Sequence, residues 1–253
     1  MPEQLNLFEV PGRGGAVLRN AILAGRRVEY RFARRRRRTI AVMVDAHGLT
    51  VSAPLNAAWR EIEAFLSEKE HWIVARLDEW ADAPRAAPVL GLDGEQLPVF
   101  GETLALAVVA GRPAVRRDGR QLRISTRTPS SRQRVITLLL RWLRAQALAA
   151  LTPRTAFYAA QIGHGAPGVS LSNAERQWGL CTAKGTIRYS WRLIHLAPSL
   201  VDYVIAHEVA HLIEMNHSKR FWRLVESLYP DWRDARARLE RDGAGLPLIG
   251  RVS

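Results

Sequence analysis

Lysine is almost missing from this chain. Only Lys69, Lys184 and Lys219 stand among its 37 basic residues, so arginine carries the formal charge of +13. Such an excess attracts polyanions, which bears on association and not on fold. Cysteine is scarcer still, with Cys181 alone, which excludes an internal disulfide framework and fits a reducing cytoplasm. No uninterrupted apolar run reaches the roughly 18 residues of a membrane span. The opening residues, MPEQLNLFEVPGRGG, lack the basic and apolar segments of a secretory signal. A cytoplasmic protein without a membrane partner is the expectation. No internal repeat is visible, and low complexity is confined to one arginine run. What is present is ordinary: 47% hydrophobic and 24% charged residues exclude a wholly disordered chain. A length of 253 residues allows one large domain or two modest ones.

Periodicity predicts an α+β fold. Residues 1–19 read as a flexible tail. Residues 20–125 read as a smaller β-rich N-terminal region with one helical segment. Val28, Tyr30 and Phe32 alternate with charged neighbours, while Ile40, Val42 and Val44 recur at every second position, and residues 45–48 form a turn. Ile62, Phe65, Leu66, Trp72, Ile73, Leu77 and Trp80 follow the helical period until the proline-rich piece at 84–88. Strands are expected around 97–109 and 121–124. A boundary is expected near 126–131, before a long amphipathic helix that opens the C-terminal domain, 126–253. Trp59, Trp72, Trp80 and Trp142, at helical spacing, read as core.

The chemistry is concentrated in His207-Glu208-Val209-Ala210-His211, followed by Asn216-His217. Histidines at i and i+4 share one helix face, so both imidazoles can reach one ion. A shuffled chain of this composition would contain HExxH about 0.01 times. Pro198 and a capping box of Ser199 with Asp202 predict the helix start. Asn216 suits a left-handed turn that would end the helix and return His217 as a third ligand. Three protein ligands leave a fourth position for water, the pattern of a catalytic zinc. Glu208 is then placed to accept a proton from that water.

The residues Arg176-Gln177-Trp178-Gly179-Leu180-Cys181-Thr182, the segment ending Ser190-Trp191-Arg192-Leu193, and HEVAHLIEMNHSKRFW resemble the YgjP-like metallopeptidase family, related to the SprT-like proteases. The resemblance implies a zincin-like metallopeptidase domain built on an HExxH active-site helix. It implies His207, His211 and His217 as zinc ligands and Glu208 as base. The chain departs from the family's usual residues at Gln177, Leu180, Thr182 and Ser190. Glu214 stands where metzincins have glycine, which argues against that group.

The expected function is a zinc-dependent hydrolase, a metallopeptidase acting on a peptide or protein. Two alternatives stay open: phosphoanhydride hydrolysis at the same site, or a basic nucleic-acid-associated zinc protein. Trp191, Arg192 and Tyr229 are candidate substrate contacts, and Tyr203, Tyr229 and Arg192 candidate oxyanion donors. The strand at 187–193 either borders the cleft, where a peptide could add to it, or lies inside the sheet. Cys181 reads as nucleophile or, preferably, as a buried inert thiol. The run Arg34, Arg35, Arg36, Arg37 and Arg38 either recruits a polyanion or is a solvated basic edge. Phe221, Trp222, Leu224, Val225 and Leu228 form an apolar face, closed by Pro230, that would pack behind the zinc helix. His47, His71, His164 and His195 receive no role.

Overall fold

The computed structural model describes residues 16–45, 48–82, 87–175 and 177–250. His47, Pro84 and Arg176, and the tail up to residue 15, lie outside them. The chain divides into two compact units, Met1–Pro84 and Arg85–Ser253.

The first unit holds β1 (Val17–Leu23), β2 (Arg26–Arg35), β3 (Ala41–Asp45), β4 (Gly48–Pro54), α1 (Trp59–Glu68) and α2 (Glu70–Asp82). Residues 17–19, read as tail, therefore belong to a strand, paired along β2 from Val17 opposite Phe32. The alternation in β2 puts Val28, Tyr30 and Phe32 into a core with Leu49, Val51, Ile62, Leu66 and Ile73. Asp45 opposes Gly48, which closes the hairpin at the expected turn. The single helical pattern over 62–80 is two helices, because α1 ends at Lys69 and a new helix starts beside it. Trp72, expected in the core, is 40% exposed, because its position on α2 faces away from the buried Ile73.

The arginine run is partly structural. Arg34 Nη1 donates to the carbonyls of Pro54, Leu55 and Ala57 at 3.0, 3.1 and 2.8 Å. Its guanidinium also lies 5.8 Å from the Phe32 ring centre. Arg37 Nη1 donates to the Ser52 hydroxyl. Two of the five charges thus fasten the end of β2 and the segment after it to β4 and, through Arg34, to the turn before α1.

The second unit opens with β5 (Gln96–Val99), β6 (Glu102–Ala110), β7 (Ala114–Asp118) and β8 (Gln121–Thr126). This sheet has the order β5-β6-β8-β7, and the first unit has β1-β2-β4-β3. In both, the central pair is parallel and the outer pairs are antiparallel. No sequence repeat announces this shared plan. Phe100 N–H donates to the Ile194 carbonyl at 2.6 Å, and His195 Nδ1–H to the Pro98 carbonyl at 2.7 Å. These bonds tie the sheet to the C-terminal elements, so the boundary expected at 126–131 falls within a unit and is only the entry to the next helix.

That helix, α3 (Arg132–Gln161), buries a stripe running from Val135 through Leu139, Leu143, Ala147 and Leu151 to Ala159. It is long and apolar enough to cross a membrane by length and composition, which a search for uninterrupted apolar runs passes over. Next come β9 (Gly168–Ser172), β10 (Gly179–Cys181), β11 (Thr186–Ser190), a 3₁₀ helix (Trp191–His195), α4 (Pro198–Ala210), α5 (Lys219–Leu228) and α6 (Trp232–Ala244). β11 lies between β10 and β9 and is interior, which decides against peptide addition there. Among the described residues, six α-helices and three small sheets make a mixed α+β protein.

Candidate metal centre

α4 is a core helix. Leu200, Val201, Tyr203, Val204, Ile205, Ala206, Val209 and Ala210 are all fully buried. Its start relies on Pro198 at the first helical position, with Ala197 as cap and no side-chain capping bond. The Ser199 and Asp202 capping box is absent, because the Asp202 carboxylate instead accepts from Arg154 Nη1 at 2.9 Å.

Regular helix ends at Ala210, but His211 keeps helical dihedrals (φ −66°, ψ −17°), so His207 and His211 remain one turn apart. The chain then leaves through tightened bonds from Leu212 to Val209 and from Ile213 to Ala210, beside a last α-type bond from Glu214 to Ala210. Asn216 does not take the left-handed conformation expected of it. Its carbonyl accepts from Ser218 N–H at 2.7 Å, and the Ser218 hydroxyl caps α5 by accepting from Phe221 N–H at 3.2 Å. This turn returns His217 to the helix face.

One ring nitrogen from each of His207, His211 and His217 lies within 4.8 Å of the others. His207 Nε2 and His217 Nε2 are 3.1 Å apart. Two nitrogens each about 2.0–2.1 Å from a tetrahedral zinc would stand roughly 3.3 Å apart, so the spacing fits. His211 Nδ1–H donates to the Glu214 carbonyl at 3.1 Å, which fixes the tautomer and leaves Nε2 as the ligand atom. Burial pushes all three imidazoles below their ordinary range, His217 to about 4, and the neighbouring histidines and Arg236 add to this for His207. Neutral imidazole is the form that binds metal.

Glu208 is buried, and burial pushes its carboxyl up to about 8 against the opposing bond from the Cys181 backbone. Among the described residues, its Oε1 has no hydrogen-bond partner. An orphaned carboxylate oxygen on the helix that carries two of the three converging imidazoles matches what a metal-dependent base requires. Cys181 is buried, and its thiol is pushed up to about 11 by burial and by Glu208, which describes an inert thiol.

Phe221 and Trp222, expected to pack behind the helix, meet the histidine rings themselves, whereas Arg236 and Gly179 carry little signal in the sequence. Phe221 stacks on His211 at 4.5 Å and meets the rings of His207 and His217 at 4.9 and 4.7 Å. Trp222 lies 5.8 Å from His217 and stacks on Trp232 at 4.3 Å. The Arg236 guanidinium sits 5.7 Å from the Trp222 ring and 3.7 Å from the Glu240 carboxylate. Gly179 presses its backbone against Glu208, and a glycine inside a strand is the one cue to such an approach.

The candidate substrate contacts are differently placed. Trp191 is buried beneath the Arg144 and Arg192 guanidiniums and against His195. Arg192 pairs with Glu175 at 3.2 Å and reaches the Pro247 carbonyl. Both side chains are thus engaged in packing around the 3₁₀ helix. Tyr229, half-buried after α5, lies 6.0 Å from Tyr203, whose ring is 6.3 Å from His207. The Tyr203 hydroxyl is buried and has no partner among the described residues.

A family model described as YgjP-like, metallopeptidase domain matches residues 38–242. No curated protein and no solved structure matches the chain.

Proposed function

The chain belongs to the YgjP-like metallopeptidase family, and from that premise we propose that it is a zinc-dependent peptidase with Glu208 as general base. The observation that carries this reading is the convergence of His207 and His211, both buried, with the partly buried His217, on a helix that also carries the unpartnered Oε1 of Glu208. His207, His211 and His217 would hold the metal. Bound zinc supplies Lewis acidity, polarising a carbonyl and easing deprotonation of water. Glu208 accepts the proton at Oε1 and passes it to the leaving amine, and the wall of β10 behind it keeps bulk water out. Tyr203 and Tyr229 are the hydroxyls available to a developing oxyanion.

β10 is the edge of its three-stranded sheet and adjoins Glu208. An extended peptide adding there would present its carbonyls to the site. Peptide hydrolysis is favoured over phosphoanhydride hydrolysis by the surroundings of the histidines. These are aromatic, with one cation among the described residues, Arg236, itself paired with Glu240. Phosphoryl transfer draws on several cations around the phosphates. A structural zinc in a nucleic-acid module would call for a fourth protein ligand. The cytoplasm is the proposed compartment, given a single buried cysteine.

Zinc-loaded protein incubated with a peptide library and, separately, with nucleoside triphosphates tests the reading. Peptide cleavage abolished by Glu208→Gln supports it. Triphosphate hydrolysis without peptide cleavage replaces it with the phosphoanhydride reading.

A further inference from the structure

Residues 85–253 hold 24 of the 37 basic residues but only 13 of the 24 acidic ones, so they carry most of the charge excess. Their arginines are not all used alike. Arg154 pairs with Asp202, Arg233 with Glu226, Arg117 with Glu102 and Arg238 with Asp234. On the outer face of the β5–β8 sheet the pattern changes. Leu122, Ile124 and Thr126 of β8 point inward, so Arg123 and Ser125 point outward. Arg116 of β7 stands directly opposite Arg123 in the antiparallel register, and both are exposed. Directly opposed cross-strand residues hold their Cβ atoms about 4.5–5.5 Å apart, and like charges there destabilise the sheet.

Arg112, in the β6–β7 turn, and Arg127, just past β8, extend the same strip and are also exposed. Among the described residues, none of these four arginines forms an ion pair with a carboxylate. Their neighbours on this face are small or neutral: Ala105, Ala107 and Val109 of β6, Ala114 of β7 and Ser125 of β8. Among the described residues of these strands, Asp118, at the far end of β7, is the one acid on this face.

From this we infer that the outer face of the β7–β8 ladder binds the phosphate backbone of a nucleic acid. Guanidiniums fit phosphate oxygens through paired N–H donors, and two held side by side can clamp one phosphate or two successive ones. A bound strand neutralises the Arg116–Arg123 repulsion, and the low alanine and serine surface beside it lets the backbone approach. The site reads charge and not base sequence. Nothing in it depends on whether the chain cleaves peptides.

Fluorescence anisotropy of the full zinc-loaded chain with labelled single-stranded and duplex oligonucleotides, in a salt series, tests the site. An Arg116→Gln/Arg123→Gln variant is compared with Arg36→Gln/Arg38→Gln, which removes the same charge from the exposed part of the N-terminal run. The first variant should bind at least about tenfold more weakly at low salt. It should also flatten the log–log salt dependence by about two, one for each phosphate that is no longer neutralised. The second should change the slope by less than half as much. Equal losses in both variants, or a loss confined to the Arg36/Arg38 variant, would overturn the assignment. So would native protein that ignores oligonucleotides but is captured by vesicles containing phosphatidylserine. Thermal melting of the first variant gives an independent reading: without nucleic acid it should melt no lower than native protein, because a repulsive pair has gone.

Discussion

The backbone of Gly179 lies so close to Glu208 that a Cβ built on it would meet the carboxylate carbon at 2.5 Å and Oε1 at 2.6 Å. Real side chains do not approach so closely, so any larger residue at 179 must displace the base. Gly179→Ala is expected to lower peptide hydrolysis by about a hundredfold, the scale of a misplacement of roughly 1 Å, while leaving zinc content intact. The shorter Glu208→Asp side chain retreats from the added methyl. In that background the alanine should cost less than about tenfold, a non-additivity that a double-mutant cycle measures. Additive losses would show that Gly179 acts elsewhere.

Metal analysis after dialysis should find about one zinc per native chain and much less in His211→Ala or His217→Ala. Unchanged zinc in either variant would remove that histidine from the ligand set.

Glu208→Gln preserves shape and should keep both zinc and thermal stability, yet lose at least about a hundredfold in rate, as expected for a missing general base. Steady-state kinetics on a cleaved peptide, beside a melting curve, separates that outcome from misfolding.

Phe221 touches all three histidine rings, so its truncation acts on fold and metal together. Phe221→Ala should destabilise the protein by about 3–5 kcal/mol and weaken zinc binding by roughly 10–100-fold. Denaturant unfolding and competition with a chelator read the two effects. Phe221→Leu, which refills most of the volume, should recover most of the stability but less of the affinity.

The pH dependence of the metal-free protein follows from the same burial. His195 and His217 are held at about 4, and His207 is well below its ordinary value. An unfolded chain binds these protons near pH 6.5 and the folded chain does not, so stability falls as pH drops from there toward 4. Glu208 works in the opposite sense. Held at about 8, it keeps in the fold a proton that the unfolded chain loses near pH 4.5, so stability also falls as pH rises toward 8. Melting temperatures should therefore peak near pH 6.5. Zinc should extend the plateau on the alkaline side, because a neighbouring cation favours the ionised carboxylate.

The clustering of the three histidines was legible because its geometry is local. His207 and His211 are placed by one helical turn, and His217 lies six residues beyond. The manner of that last turn was not legible, since tightened bonds from Leu212 and Ile213 do what Asn216 was expected to do. The alternation of β2 named its core residues correctly because one face of that sheet is buried. What escaped depends on contacts between distant segments. The Phe100–Ile194 bond that joins the β5–β8 sheet to the C-terminal elements leaves no trace in local periodicity. The approach of Gly179 to Glu208 likewise belongs to two elements at once, and composition alone could not tell Arg34, bound to three carbonyls, from the exposed Arg36.

That α4 is buried on nearly every side has a bearing on how this protein can change. A site carried on surface loops can be rewritten residue by residue while its scaffold stays untouched. Here the residues flanking His207 and Glu208 are also keystones of the interior, so almost any replacement between 200 and 210 disturbs folding before it reaches specificity. Variation that survives selection should therefore gather in the half-exposed link from Leu212 to Asn216 and on the outward side of β10 at Leu180. Directed evolution toward new substrates would do well to randomise those positions and leave the helix alone.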